Sequence, residues 1–464
     1  MADPVIPAGA AGLLGDAAAA GVAQVAADEL GCDPGEVDLS SVRRLSGGAS
    51  RHTFSAEPSH DGRSVHFAVQ TERSGSVGAN LPMHQQVALL RDAADSGVPV
   101  PRVRRDGGEA GSGWVVLDWL EGEAVARRIL RGEEFADARA DLAREAGSVL
   151  ARIHQISPGP HRGLPEADPL ESMSALAEMV GEAHPAFAVG LSWLEANRPA
   201  ERSHVVVHGD FRMGNLLVSP GGITAVLDWE LAHIGSPVED LGWFCSRAWR
   251  FGSPLRAGGV GTAEDLLEGY RQGGGEPVAD AELRWWEVYA TLRWGLICVL
   301  QASVHLRGLH RSVELAAIGR RAAECEEDLL ALICGPSDYQ PPRPGDAQQL
   351  AGPHDRPDSL ELLEALGEKL EDLRGAASGS TAFDLRVCSN VAALVGREMA
   401  LSATLADMHS RRLAELAVRD EAELVSRIQR SSFEELSSGL LTAVREMVRD
   451  KLAVSNPGYW EGDS

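Results

Sequence analysis

The sequence predicts an α+β fold: a small lobe built on an antiparallel sheet, a mostly helical lobe, and an all-α C-terminal unit. Three observations predict it. Short extended segments separated by glycine- and aspartate-containing turns crowd into the first 120 residues. Helical spacing of apolar residues dominates from Glu121 onward. A segment holding Pro336, Pro341, Pro342, Pro344, Pro353 and Pro357 then interrupts the pattern, because proline at that density forbids regular helix or inner strand. With 464 residues the chain exceeds one ordinary core. The expected division is 1–120 and 121–335 as two lobes, 336–357 as linker, and 358–464 as the helical tail.

The elements follow in order. Residues 10–31 are alanine-rich and read as a helix closed by Gly31. Val37 to Leu45, Thr53 to Ala56 and Val65 to Val69 read as extended, separated by turns at 46–50 and 61–62. Residues 83–96 return to helical spacing, and Val98 to Val103 and Gly113 to Leu120 read as strands. Residues 137–157 place Leu142, Ala146, Val149, Leu150 and Ile153 on one helical face. The spacing then predicts a hairpin over 204–229 and helices at about 262–273, 280–306 and 311–334. In the tail, helices read at 358–373, 383–405, 410–430 and 436–452, the first capped by Asp358.

Composition narrows the function classes. The formal charge of −25 argues against a nucleic-acid partner, which requires a basic face. An anionic substrate would need local cations to overcome that field. Six cysteines form no CxxC pair, which points to reduced thiols rather than a zinc site. No run of about 18 apolar residues suggests a membrane span. The N-terminus has no signal-peptide pattern, so a cytoplasmic protein is expected.

The chemistry concentrates in His208-Gly209-Asp210-Phe211-Arg212-Met213-Gly214-Asn215, followed by Asp228-Trp229-Glu230. Phosphoryl transfer needs a carboxylate to orient the attacking hydroxyl and accept its proton, and hard oxygen ligands for magnesium. Asp210 at the loop's start suits the base. Asn215 at its end and Asp228, returned by the hairpin, suit the metal. Glu230 returns to the same side if the strand persists, as a further metal or water ligand. Trp229 then points away.

These residues resemble the catalytic loop and metal motif of the aminoglycoside phosphotransferase-like family, which has a protein-kinase-like two-lobed fold. The resemblance runs from Leu45 to about Leu332 and includes LSGGASRHT at 45–53, LARIH at 150–154 and DWELAHIGSPVEDLGW at 228–243. It implies an ATP- and magnesium-dependent kinase with ATP near a Leu117–Leu120 hinge. Ser46, Gly47, Gly48 and Ser50 would cover the phosphates, with Arg51, Gln70, Arg73, Asp118 and Leu120 completing the nucleotide site. Asp240 and His208 would be structural supports, and His154 a capping or structural histidine. One departure stands out. Gln70 occupies the place of the usual strand cation, and Gln86 that of its helix acid. Arg73 or Arg51 would supply the positive charge, and a non-catalytic pseudokinase is the alternative.

The stretch Leu292-Arg293-Trp294-Gly295 and the DWE variant resemble the branch of kinase-like domains fused to some acyl-CoA dehydrogenases. Residues 355–460 resemble a helical domain that accompanies such kinases, carried by FDLRVCSNVAALVGRE (383–398) and KLAVSNPGYW (451–460). Together they imply phosphorylation of the 4-hydroxyl of a 4-hydroxyacyl-CoA, with an intramolecular contact between kinase and tail. Arg247, Arg293, Arg307 and Arg311 are candidates for the acyl-CoA phosphates. An aminoglycoside, other antibiotic or sugar acceptor is the competing reading.

Overall fold

The computed structural model describes residues 12–45, 51–72, 81–108, 113–159, 163–343 and 357–460. In chain order come α1 (Asp16–Leu30), β1 (Arg43–Arg44), β2 (Arg51–Ala56), β3 (Ser59–His60), β4 (Arg63–Ser64), β5 (Phe67–Glu72) and α2 (Met83–Asp95). Then follow β6 (Val103–Asp106), β7 (Trp114–Asp118), α3 (Ala126–Arg131), α4 (Ala136–Ile153), α5 (Pro169–Val180) and α6 (Pro185–Ala196). The middle of the chain holds β8 (Val205–Val207), β9 (Leu216–Ser219), β10 (Gly222–Val226), β11 (His233–Gly235), α7 (Val238–Cys245) and α8 (Ala263–Gln272). The remainder is helical: α9 (Asp280–Leu306), α10 (Val313–Ile318), α11 (Ala322–Cys334), α12 (Ser359–Ala376), α13 (Gly379–Glu415), α14 (Glu421–Gln429) and α15 (Ser438–Ser455). Among the described residues no helix is long and apolar enough to cross a membrane.

Two compact units emerge, residues 1–166 with 201–279, and 167–200 with 280–464. In the first unit a five-stranded antiparallel sheet has the order β1-β2-β5-β7-β6. Phe54, Phe67, Val69 and Val116 bury one face of it against α1, whose Ala19, Val22 and Ala26 are fully covered. Gly21 lets α1 approach closely: a Cβ there would sit 2.3 Å from the Trp114 ring. The helix stops at Gly31 in the left-handed region (φ 74°).

Several expectations shift. Val37 to Leu45 contributes only the two-residue β1, because Asp33 caps a 3-10 turn at Pro34–Glu36 instead. The strand read at Val98 to Val103 lies at β6, after Pro99 and Pro101 have kept the chain irregular. The expected hairpin over 204–229 is two separate ladders: β9 pairs with β10, and β8 pairs with the more distant β11.

In the second unit α9 packs on α5, α6, α10 and α11, and α15 packs on α11 and α13. Helix α13 runs through the break expected near 405–410, where the sequence offers no glycine or proline. The chain turns instead at Ala417 (φ 54°), and Asp420 caps α14. The helix read over 311–334 divides at a 3-10 turn, Gly319–Arg321. A buried ionic layer joins α11 to α15. Arg449 bonds Glu327 at 2.9 Å, with both side chains about 5 % exposed. Lys451 reaches Glu326 at 3.4 Å, Asn456 reaches Glu324 at 3.0 Å, and the Tyr459 hydroxyl donates to Asp328 at 2.6 Å. Against the upward pull of burial, Lys451 and His184 hold the Glu326 carboxyl below the usual range.

Candidate active site

The loop between β8 and β9 is held from below by one carboxylate. Asp240, fully buried in α7, accepts from the backbone N–H of His208 (2.8 Å) and of Gly209 (2.9 Å). It also meets His154 Nε2 at 3.2 Å, and His154 Nδ1 meets the Tyr270 hydroxyl at 3.0 Å. Burial pulls Asp240 upward, yet these His154 and His208 contacts hold its carboxyl below the ordinary range, so it is ionised. Gly209 is required on two counts. Its φ is 80°, and a Cβ would lie 2.3 Å from the Leu231 carbonyl oxygen. His208 accepts the Asp210 N–H on Nδ1 (3.2 Å) and donates from Nε2 to the Leu227 carbonyl (3.0 Å). Burial lowers its pKa, which keeps the ring neutral.

This frame presents Asp210 half-buried, with donors on both oxygens. Trp243 Nε1 donates to Oδ1 at 2.9 Å, Asn215 Nδ2 to Oδ2 at 2.7 Å, and Arg212 Nε to both at 3.0 and 3.2 Å. Arg212 in turn stacks over Trp249, 4.8 Å from its ring centroid. With its amide donating to Asp210, Asn215 keeps its carbonyl oxygen as a ligand atom. The Leu227 N–H donates to the backbone carbonyl of Asn215 at 2.8 Å, which brings Asp228 beside the loop's end.

The strand ends at Val226, and Asp228 adopts φ 64°, a costly conformation for a residue with a Cβ. The strand alternation expected to carry Glu230 round is therefore absent, yet the Glu230 charge still acts on Asp228 more than any other. Glu230 lies 4.0 Å from Arg51. The three acids still feel one another. Enclosure first, then the negative charges of Glu230 and Asp210, push Asp228 up to about 7, with Arg51 and Arg212 opposing. Its carboxyl is open to the cleft, so water screens part of this repulsion. A set of acids short of positive charge and furnished with an amide oxygen fits a divalent cation with oxygen ligands.

A cleft of about 470 Å³ runs over these groups, and Arg51, Gln70, Asp118, Leu120, Asn215 and Asp228 all line it. Ala68, Leu117, Leu217 and Val226 give it apolar walls. Arg51, on the neighbouring strand, lines the same cleft as Gln70. In the β2/β5 register Thr53 faces Gln70 and Arg51 faces Glu72, so Arg51 and Gln70 are diagonal neighbours on one face. Arg51 is buried, donates to the Leu81 carbonyl (3.4 Å), and has its pKa lowered by burial against the pull of Glu230. Gln86 donates to the same carbonyl at 2.7 Å rather than to Gln70.

Ser46, Gly47, Gly48, Ser50 and Arg73 lie outside the described residues. Of the proposed acyl-CoA contacts, Arg247 belongs to the first unit, while Arg293, Arg307 and Arg311 belong to the second. Arg212 and Trp243 escaped the sequence reading, although Arg212 sits inside the catalytic motif. Trp243 lies three residues beyond Asp240, on the same helical face.

Comparison with known proteins matches residues 41–286 to the phosphotransferase enzyme family and 375–459 to a domain of unknown function (DUF6285). Mouse acyl-CoA dehydrogenase family member 10 is 24 % identical over 271 residues, 51 % of this chain and 24 % of its own. Human acyl-CoA dehydrogenase family member 11 is 44 % identical over 55 residues, 11 % of this chain and 7 % of its own. The chain thus spans a quarter or less of the length of these relatives. A candidate aminoglycoside phosphotransferase from Ralstonia eutropha superposes with a TM-score of 0.50 at 21 % identity, covering 62 % of this chain and 90 % of the other. That likeness establishes a shared kinase-like fold. The family match extends over more than half of the 464 residues, and the chain therefore belongs to the phosphotransferase enzyme family.

Proposed function

We infer that the chain is an ATP- and magnesium-dependent kinase acting on the hydroxyl of a 4-hydroxyacyl-CoA. Residues 1–120 and 121–335 would be its lobes, 336–357 the linker and 358–464 an accessory region. The observation that carries this reading is that Asn215, hydrogen-bonded to Asp210, and Asp228 line the same apolar-walled cleft. Magnesium held by Asn215 and Asp228, with Glu230 near, would neutralise charge on the transferring phosphoryl group. Asp210 orients the acceptor hydroxyl and takes its proton as the oxygen–phosphorus bond forms and the bond to ADP breaks. Arg212 and Trp243 fix that carboxylate. Arg51 supplies positive charge to the nucleotide phosphates in place of a cation at Gln70.

The acyl-CoA acceptor is supported by the two relatives named as acyl-CoA dehydrogenase family members. ATP consumption measured with 4-hydroxyacyl-CoAs, free hydroxy acids and aminoglycosides tests it. Turnover with the CoA esters is expected; turnover confined to aminoglycosides would sink the acceptor assignment.

A further inference from the structure

A second cavity of about 460 Å³ lies between α3, the start of α4 and the 251–260 loop, wholly within the first unit. Arg127, Arg131 and Arg139 line it, and among the described residues none that lines it is acidic, although Glu133, Glu134 and Asp137 lie in the same stretch of chain. In a chain of net charge −25, three guanidinium groups around an acid-free hollow form a local reversal of sign. The neighbouring Arg128 is spent on Glu123 at 3.0 Å, and Arg139 is braced by the Ile129 carbonyl at 2.8 Å. Arg127 and Arg131 are exposed.

The loop forming the opposite wall is fixed. Gly258 N–H bonds the Phe244 carbonyl at 3.0 Å, and Gly259 could not carry a Cβ, which would meet the Arg250 carbonyl at 2.6 Å. Phe251, in the wall, holds φ 52°, a strained state for a non-glycine residue. This wall connects directly to the base. Trp243, which donates to Asp210, packs at 5.4 Å against Trp249, two residues before Phe251.

We propose that this arginine cavity binds the phosphate-bearing end of the acceptor, the adenosine 3′-phosphate 5′-diphosphate of a CoA ester, leaving the acyl arm to reach Asp210. The proposal rests on the CoA-ester reading above and supplies the cationic site that reading requires. It moves that site from Arg247, Arg293, Arg307 and Arg311 to Arg127, Arg131 and Arg139. Guanidinium forks match phosphate oxygens in pairs, whereas a cationic antibiotic would be repelled.

Two measurements test it on the full chain, with the nucleotide cleft saturated by a non-hydrolysable ATP analogue and magnesium for the first. Calorimetric titration with adenosine 3′,5′-bisphosphate should show binding that weakens tenfold or more in Arg127→Gln/Arg131→Gln. Equal binding to both proteins, or inorganic pyrophosphate competing as well as the bisphosphate, overturns the site. Second, kcat/KM for a 4-hydroxyacyl-CoA should exceed that for its pantetheine thioester by tenfold or more, and the ratio should collapse in the double variant. An unchanged ratio, with thioesters still phosphorylated, overturns the cavity while sparing the acceptor class. Arginine-dependent bisphosphate binding without phosphorylation of any thioester supports the cavity and removes the acceptor assignment.

Discussion

At the residue scale, Asp228 carries the clearest signature of a missing partner. Its folded carboxyl holds a proton up to about pH 7, whereas the unfolded one releases it in the ordinary range. Metal-free protein should therefore lose stability as pH rises from about 4 to 7, and level off above. Asp228→Asn should raise the metal-free melting temperature at pH 8, on the order of 1–3 °C, and abolish the further rise given by magnesium. Scanning calorimetry with and without magnesium decides it; a variant less stable than wild type without metal contradicts the repulsion. Magnesium affinity in the wild type should fall as pH drops below 7, because protons compete for the same oxygen. Much of this was legible: the HGD, Asn215 and DWE residues are the motif. The source of the cation was not, because a Gln at 70 says nothing of which neighbour compensates. The sequence offered Arg73 or Arg51, and the β2/β5 register puts Arg51 diagonal to Gln70.

At the scale of elements, the catalytic loop is positioned by a helix 32 residues away, through the bond of Asp240 to the His208 N–H. Asp240→Ala leaves two buried backbone N–H groups and the His154 ring without their acceptor. A loss of about 3 kcal/mol or more is expected, together with a large fall in kcat. Gly209→Ala should act more locally. With its Cβ against the Leu231 carbonyl, the loop must shift, and transfer should fall ~100-fold while helicity by circular dichroism is retained. Near-normal kcat in either variant would contradict the positioning role. Periodicity located α4, α8 and α9, which each show an apolar stripe over two turns or more, but passed over α3, α5, α6 and α7, none longer than twelve residues. It gave the β9–β10 hairpin but not the partner of β8, which at three residues is too short to declare one. That β8 pairs with β11 follows from long-range contacts, which local pattern does not encode.

At the scale of the molecule, the tail helices are built into the second unit by a shared apolar core and by buried ion pairs. Glu326 and Glu327 on α11 are each almost fully buried and meet cations from α15. Arg412 adds a buried pair with Asp450 and hydrogen-bonds the Tyr339 hydroxyl at 2.7 Å. Deleting 358–464 would strip Glu327 of Arg449 and leave Glu326 with His184 but without Lys451, so the truncated chain should be destabilised rather than a clean lobe. Arg449→Ala alone should cost roughly 3–5 kcal/mol, with part recovered in Arg449→Met/Glu327→Met, as read by urea unfolding. No recovery in the pair would mean that Arg449 stabilises by packing alone. The proline-rich segment suggested a boundary at 336–357, and the chain's apolar patterns revealed that both sides are helical. The ionic layer stayed hidden because its partners are more than 120 residues apart and look like ordinary surface charges in sequence.

The central claim is that Asp210, Asn215 and Asp228 form one phosphoryl-transfer centre. The most direct test is transfer of the γ-phosphoryl group of labelled ATP to a 4-hydroxyacyl-CoA, wild type against Asp210→Asn, with magnesium-ATP affinity measured on both. The account predicts magnesium-dependent transfer that falls 100-fold or more in the variant, with nucleotide affinity within about twofold. A variant that keeps a near-normal rate, or a wild type that does not bind magnesium-ATP, would contradict it.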